Sequence, residues 1–145
     1  MKSYYTLITF ELQVMCQINY NLIMKHTEEM IKIHKMRSPC PIANTLDILG
    51  DKWTLLIIRD AFAGKSTYGD FQASPENIPT NILADRLKRL LEYGILEKKP
   101  YQQRPVRYVY QLTDKGRLLG PILKEIIHWG KQNIIGTEAK INLIL

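Results

Sequence analysis

The sequence has few cysteines and histidines, the residue types of disulfide bonds and zinc sites. Two cysteines, Cys16 and Cys40, are too few for a disulfide framework and lack the spacing of a zinc site. Three histidines, His26, His34 and His128, have no carboxylate or cysteine partners at ligand spacing. The sequence therefore predicts no metal and no cofactor, and it is typical of a reducing compartment.

Catalytic motifs and membrane-spanning runs are also missing. The sequence contains no glycine-rich phosphate loop, no Ser/His/Asp constellation and no paired carboxylates, so we expect a protein that is not an enzyme. The longest uncharged run near the start, residues 12–24, is too short and too polar to cross a bilayer. Glu11 and the lack of a small-residue cleavage pattern argue against a signal peptide. These features predict a cytoplasmic protein without membrane contact.

The charge of the chain is positive and unevenly distributed. The 145 residues carry a formal net charge of +6 and are 46% hydrophobic, enough for one compact domain with its own core. Between Ala84 and Arg107 there are seven cations and only three anions. This pattern favours a polyanionic partner, although many basic proteins bind nothing in particular.

Residues 78–94 predict one amphipathic helix with a polar outer face. Thr80 is a residue type that caps a helix start, and Gly94 is one that ends a helix in the left-handed conformation. The leucines that recur at steps of three and four residues must be buried, and they are Leu83, Leu87, Leu90 and Leu91. The residues facing away are Asn81, Asp85, Lys88 and Arg89, with Arg86 at the edge. Such a face fits a DNA major groove, and the alternative is an ordinary surface helix.

Three shorter helical segments precede this one. Pro41 suits the first turn of a helix, in which Ile42, Thr45, Leu46 and Leu49 form an apolar face. Asp51 is expected to cap a second helix that is apolar on nearly every side and belongs in the core. Thr67 is expected to cap a brief third helix, and residues 74–77 have turn chemistry. Two short helices, a turn and a longer helix are the helix-turn-helix order.

After Gly94 the pattern changes to that of β-strands. Residues 95–99 and 106–112 are β-prone, and Pro100–Pro105 predicts a turn between them with basic Arg104 at its tip. A helix-turn-helix followed by such a hairpin predicts a winged helix. The fold class is therefore expected to be mainly α with a small β-hairpin wing.

The last helical region has a wide apolar stripe. Thr113 is expected to cap it, and its apolar residues are Leu118, Leu119, Ile122, Leu123, Ile126, Ile127 and Trp129. A stripe left partly uncovered predicts a partner surface, most simply that of a homodimer. The alternative is a helix fully absorbed by its own core.

Several motifs in order resemble those of HxlR-type winged-helix transcriptional regulators, relatives of the MarR group. The matching residues run from about Cys40 to Asn133 and are Cys40-Pro-Ile, Leu46-Asp-Ile-Leu-Gly-Asp-Lys-Trp-Thr54, Asn81-Ile-Leu-Ala-Asp-Arg-Leu87, Gly94-Ile, Tyr110-Gln-Leu-Thr113, Gly116 and Trp129-Gly130. The resemblance implies a homodimer that binds operator DNA and turns transcription off, or sometimes on. It also implies that the helix at residues 80–93 enters the major groove, that residues 95–112 form the wing, and that terminal helices make the dimer.

The chain departs from the family pattern at its two ends. We divide it into an N-terminal extension (1–36), a winged-helix domain with a dimerisation helix (37–134) and a tail (135–145). In the extension, a helical stripe and β-prone residues conflict. Met24, Met30 and Met36 offer internal starts, so we expect the native protein to begin downstream of Met1. Detection of Met1 by mass spectrometry would contradict this.

Eight residues are candidates for function. For contact with DNA they are Thr80, Asn81, Arg86, Lys88, Arg89, Arg104 and Arg107, and for sensing of oxidants or electrophiles, as some members of the family do, Cys40. Asn81 could instead be a second cap residue, and the cations could form a solvated face. Cys40 could be an inert small hydrophobe, although its place at a helix start favours a thiolate. The alternative for the whole chain is a winged-helix protein-interaction module. The sequence does not identify an operator or a small-molecule effector.

Overall fold

The computed structural model describes residues 38–138. In this part of the chain there are six helices and one antiparallel pair of strands, which we number in chain order. They are α1 (Pro41–Leu49), α2 (Thr54–Phe62), α3 (Tyr68–Gln72), α4 (Thr80–Glu92), β1 (Leu96–Gln103), β2 (Val106–Leu112), α5 (Asp114–Arg117) and α6 (Gly120–Asn133). The expected winged helix-turn-helix, mainly α with one hairpin, is confirmed. The predicted extension at residues 1–36 and the tail beyond residue 138 lie outside the described residues.

The chain divides into two compact units, residues 1–44 and 45–145. The described part of the first unit is the start of α1, where Pro41 is the first helical residue, as predicted. Cys40 precedes it, its backbone N–H donating to the Ser38 hydroxyl at 3.1 Å. The carbonyl of Cys40 accepts from the Asn44 N–H at 3.2 Å, which is the first hydrogen bond of the helix.

The core of the second unit is built around α2 and α4. Ile57 and Ile58 of α2 are completely buried, as expected for a helix that is apolar on most sides. The leucine stripe of α4 is buried at Leu83, Leu87 and Leu90, and Leu91 packs against it at the edge. The face predicted for α1 is buried only at Leu49, since Ile42 and Leu46 are exposed.

Helix caps agree with the sequence at most positions. The Thr67 hydroxyl accepts from the Asp70 N–H, and the Asp70 carboxylate accepts from the Thr67 N–H, which makes a capping box. Trp53 occupies the cap position of α2 and offers no side-chain cap. Asp51, two residues earlier, accepts from the N–H groups of Trp53 and Thr54 at 2.9 and 3.1 Å, so its carboxylate satisfies N–H groups at the start of α2, which is the role expected for it.

The predicted cap at Thr80 is wrong. Pro79 occupies the cap position of α4, and its carbonyl accepts the first helical hydrogen bond from the Leu83 N–H at 2.9 Å. Proline has a fixed φ, here −57°, and it enters the helix from an extended ψ of 139° without a side-chain cap. Thr80 is thus the first helical residue, and its carbonyl accepts from the Tyr68 hydroxyl at 3.0 Å. Gly94 ends the helix with a φ of +63°, as predicted.

The hairpin is longer than predicted. Its register runs from Leu96 opposite Leu112 to Gln103 opposite Val106, so that only residues 104 and 105 form the turn. The sequence interpretation placed the turn at residues 100–105 because prolines break strands. A sheet of two strands leaves each strand one unpaired edge, where proline is tolerated, and a bulge between Pro100 and Gln102 absorbs the irregularity.

The hairpin is bound to the segment before α3. Thr67 forms a bridge with Val109, and the Tyr110 N–H donates to the Ser66 carbonyl at 2.6 Å. The Tyr110 ring meets Phe71 edge-on, with 6.2 Å between ring centroids. These contacts fix the orientation of the wing relative to the helix-turn-helix.

The last helical region is two helices instead of one. Thr113 caps α5, accepting from the Gly116 N–H at 3.1 Å and donating to the Gly94 carbonyl at 2.6 Å. A Cβ at residue 116 would lie 2.2 Å from the Ile95 carbonyl oxygen, so only glycine fits there. The chain turns after α5 and starts again as α6.

A buried carboxylate connects α2 to the turn before α4. Asp60 is completely buried, and its two oxygens accept from Arg59 at 2.7 Å and from Lys65 at 2.9 Å, as well as from the Ser74 hydroxyl. Arg59 also binds Glu76 at 2.9 Å, and this pairing lowers the pKa of Glu76. The cluster closes residues 74–76 onto the last turn of α2.

We expect Asp60→Ala to lower the free energy of unfolding by about 3 kcal/mol, because it leaves buried polar partners unpaired. Glu92→Ala, which removes an exposed carboxylate from the end of α4, should change it by less than about 0.5 kcal/mol. Urea unfolding followed by circular dichroism measures both values. Equal effects of the two substitutions would contradict a structural role for Asp60.

Candidate nucleic-acid interface

The outer face of α4 carries the polar side chains that the sequence predicted. The buried leucines lie on one side, and Asn81, Asp85 and Lys88 are exposed on the other. The Lys88 side chain is 76% exposed, and its ammonium lies 3.8 Å from the Glu92 carboxylate. Thr80 is also exposed, in the first turn. We call α4 the recognition helix, which is the usual name for the second helix of a helix-turn-helix.

Two of the predicted DNA-binding cations on α4 have protein partners. The Arg86 side chain is only 18% exposed, and its Nε lies 3.0 Å from the Asp51 carboxylate, while a second nitrogen contacts Asp85. Arg89 donates to the Asp47 carbonyl at 2.9 Å. Both residues lie at the border between the buried and exposed faces, where they hold α4 against the preceding elements.

The environment of Asp51 keeps it charged. Burial favours the neutral carboxyl, but hydrogen bonds from the Thr54 hydroxyl, the Trp53 N–H and Arg86 outweigh burial and lower the pKa of Asp51. The same pair raises the pKa of Arg86. Asp51 thereby joins the start of α2 to the recognition helix. Sequence reasoning identified Asp51 as a cap but missed this pairing, which no local spacing indicates.

The wing presents the other predicted cations. Arg104 lies in the two-residue turn, and its carbonyl accepts from the Gln102 side chain at 3.1 Å. Arg107 lies on β2 opposite Gln102, and both Arg104 and Arg107 are exposed. Lys98 lies 4.8 Å from the centre of the Tyr108 ring, a cation–π contact on the same hairpin.

A cleft of about 490 Å³ separates the wing from the start of α3. Arg107 lines it together with Tyr68, Tyr101, Tyr108 and Tyr110. Burial raises the pKa of the Tyr110 hydroxyl. Sequence reasoning missed this aromatic lining, although Tyr108 and Tyr110 alternate on a strand and so share a face.

The described residues contain no group of three or more His, Cys, Asp and Glu side chains that could hold a metal ion. Across residues 38–138, no helix combines the length and apolar character needed to span a membrane. Cys40 is exposed and carries a free thiol.

An exposed helix after a short helix and turn, with a hairpin fixed beside it, defines the winged helix-turn-helix class of nucleic-acid-binding domains. The profile of the HxlR-like helix-turn-helix family matches residues 48–138. The chain belongs to this family.

Individual relatives support the same assignment. The HTH-type transcriptional regulator Mb3122 of Mycobacterium bovis is 36% identical over 98 residues, which cover 68% of this chain and 61% of the relative. The chain thus spans about three fifths of the length of the mycobacterial relatives that it matches.

Two solved structures show the same fold. The reduced form of the redox regulator HypR has a TM-score of 0.60 and 32% identity, covering 65% of this chain and 93% of HypR. The reduced form of the transcriptional regulator YodB from Bacillus subtilis has a TM-score of 0.57 and 28% identity, covering 70% of this chain and all of YodB.

Arg86 is largely buried and paired with Asp51, whereas Lys88 is exposed. Removal of these two side chains should therefore change the free energy of unfolding by different amounts. Arg86→Ala should lower the free energy of unfolding by about 1–2 kcal/mol, because it leaves the partly buried Asp51 without its partner. Lys88→Ala should change it by less than about 0.5 kcal/mol. Thermal and urea unfolding of both variants measure this difference. A destabilisation by Lys88→Ala as large as that by Arg86→Ala would show that the pairing of Arg86 is unimportant.

Proposed function

We propose that this protein is a DNA-binding transcriptional regulator of the cytoplasm that binds operator DNA as a homodimer and acts as a repressor. The observation that carries the proposal is the exposed polar face of the recognition helix, held outward by its buried leucines. Membership of the HxlR-like helix-turn-helix family supports it.

The recognition helix has the size and side chains to enter a major groove. Its 13 residues span roughly 20 Å at ~1.5 Å per residue. Thr80 and Asn81 lie in its first turn, where small polar side chains and free backbone N–H groups can meet phosphates or base edges. Lys88 is suited to a phosphate. Arg86 and Arg89 would take part in DNA contact only by sharing or leaving their protein partners.

The wing supplies a second contact. Arg104 occupies a two-residue turn between two strands, so that little loop ordering is needed when it binds. It is suited to the minor groove or the adjacent backbone, and Arg107 to a phosphate. The alternative function, a winged-helix protein-interaction module, would need neither exposed cation.

Operator binding can be tested with the DNA upstream of the gene itself. We expect a specific complex that survives a scrambled competitor. Arg104→Ala should weaken it and reduce the slope of log K against log salt by about one unit, because one phosphate contact is lost. Lys131→Ala, which removes an exposed cation from α6, serves as the matched control. The scrambled DNA competing equally well would favour the protein-interaction module.

The homodimer is proposed from the apolar stripe on α6. Ile122, Ile126 and Trp129 are all exposed, Trp129 by 61%. Together with Pro121 and Glu125 they line a mostly apolar groove of about 500 Å³. An exposed patch of this kind is typical of an interface. A two-fold pair of recognition helices would then reach successive major grooves about 34 Å apart.

Trp129→Asp should convert the dimer to a monomer, because the interface cannot bury an unpaired carboxylate. Light scattering after size-exclusion chromatography measures the mass, and operator affinity should fall in parallel. Lys131→Asp on the same helix should remain a dimer. A Trp129→Asp protein that keeps the dimer mass would locate the interface elsewhere.

Cys40 is proposed as a site that responds to thiol-reactive or oxidising signals. Its thiol is exposed and lies directly before the first turn of α1, where helix N–H groups favour a negative charge. The similarity to HypR, a redox regulator, adds support. We expect Cys40 to react with iodoacetamide at least several-fold faster than free cysteine, with Cys40→Ser as the blank. A rate equal to that of free cysteine would rule out the sensor.

A further inference from the structure

The cleft between the wing and the start of α3 is lined by tyrosines that have no part in the DNA contacts proposed so far. They include Tyr68, Tyr101 and Tyr108, which lie beside Arg107 in the lining. Tyr101 is 51% exposed and Tyr108 is 40% exposed. Their hydroxyls have no hydrogen-bond partner among residues 38–138. Both O–H groups are therefore available to donate to a ligand.

The charge at this cleft is positive. Arg107 is exposed and forms no ion pair within the described part of the chain. Lys98 adds a second cation, 4.8 Å from the centre of the Tyr108 ring. The lining residues include no carboxylate. Asp70, close by in sequence, is engaged by the Thr67 N–H at 2.8 Å in the capping box. The cleft therefore favours an anion.

The cleft lies between the two elements that we propose to enter the grooves of DNA. On one side, the Tyr68 hydroxyl donates to the Thr80 carbonyl in the first turn of the recognition helix at 3.0 Å. On the other side is the wing, bridged to Thr67 through Val109. In B-form DNA a sugar–phosphate strand separates each major groove from the adjacent minor groove. A duplex with the recognition helix in one groove and the wing in the next therefore has a backbone strand between these two elements.

We propose that this cleft binds one phosphate group of the DNA backbone, through the guanidinium of Arg107 and the hydroxyls of Tyr101 and Tyr108. Phosphate oxygens accept charge-assisted hydrogen bonds from both kinds of donor. A contact of this kind fixes the register of the protein on the duplex and reads no base. The proposal rests on the proposed function, and it adds the two tyrosines to the DNA-binding residues.

Removal of the two hydroxyls tests the site while both rings are kept. Tyr101→Phe and Tyr108→Phe should each weaken operator binding by about tenfold, because each loses a hydrogen bond to a charged group. The affinity for scrambled DNA should fall by the same factor, since a phosphate is the same in every sequence. Neither change removes a cation, so the slope of log K against log salt should stay that of wild type. Arg107→Ala should reduce that slope by about one unit.

A tyrosine outside the cleft provides the matched control. Tyr93 lies at the end of α4 and takes no part in the lining, so Tyr93→Phe should leave both DNA affinities unchanged. The thermal midpoints of Tyr101→Phe and Tyr108→Phe should equal that of wild type, because their hydroxyls have no partner within residues 38–138. Unchanged DNA affinity in these two variants overturns the proposal. A loss confined to the operator also overturns it, since the hydroxyls would then read bases.

Operator DNA with a single uncharged methylphosphonate, moved one position at a time, tests the phosphate directly. At one position per half-site, the methylphosphonate should weaken wild-type binding by about tenfold and have little further effect on Arg107→Ala. Fully additive losses at every position overturn the phosphate site. Wild-type binding to the operator together with additive losses leaves the proposed regulator standing. Failure of wild type to bind any DNA overturns both the regulator and the phosphate site.

Discussion

Burial of Leu83, Leu87 and Leu90 determines how the recognition helix is presented. Each buried leucine contributes about 1.5–3 kcal/mol, whereas an exposed ion pair on the same helix contributes about 1 kcal/mol or less. A rotation of α4 about its axis that exposed one leucine would therefore lose more free energy than an ion pair on the helix surface could contribute. The rotation that buries all three leaves Asn81 and Lys88 facing outward, so the polar face follows from the apolar one.

Ion pairs then fix the position of α4 relative to the rest of the core. Arg86 reaches Asp51 at the start of α2, and the Asp60 cluster closes the turn before α4 onto the end of α2. Buried and half-buried ion pairs contribute little net stability because removing the charges from water is costly. A structure in which one of the two charges is buried without its partner is, however, strongly destabilised. Their effect is to select one geometry for the helix-turn-helix from several that the leucines alone would permit.

Local sequence patterns predicted the features that depend on neighbouring residues. The leucine period, the caps at Thr67 and Thr113 and the stop at Gly94 all act within a few residues, and the structure has them as expected. The features that were missed depend on residues far apart in the chain. The sequence patterns gave Asp60 no role, because its partners Lys65 and Ser74 come from later segments of the chain.

The error in the hairpin has the same origin. The rule that proline breaks strands is local, but whether a proline is tolerated depends on the number of strands beside it. With one partner strand, Pro100 sits at an open edge and β1 continues to Gln103. The assignment of cations shows a related limit: periodicity located Arg86 at the border of the polar face and could not tell a phosphate ligand from a residue paired with Asp51.

The contacts that make this domain rigid also limit how it can be regulated. The wing is bridged to Thr67, and the recognition helix is paired to α2, so changing the angle between them would break several contacts at once. A rigid binding surface loses little conformational entropy when it binds its partner, and this raises the affinity. Such a domain is regulated more easily by changing its contacts with neighbouring elements at its borders than by changing its internal contacts. In the homodimer that we propose, α6 is one such border, because a small displacement of α6 would alter the spacing of the two recognition helices without disturbing either one.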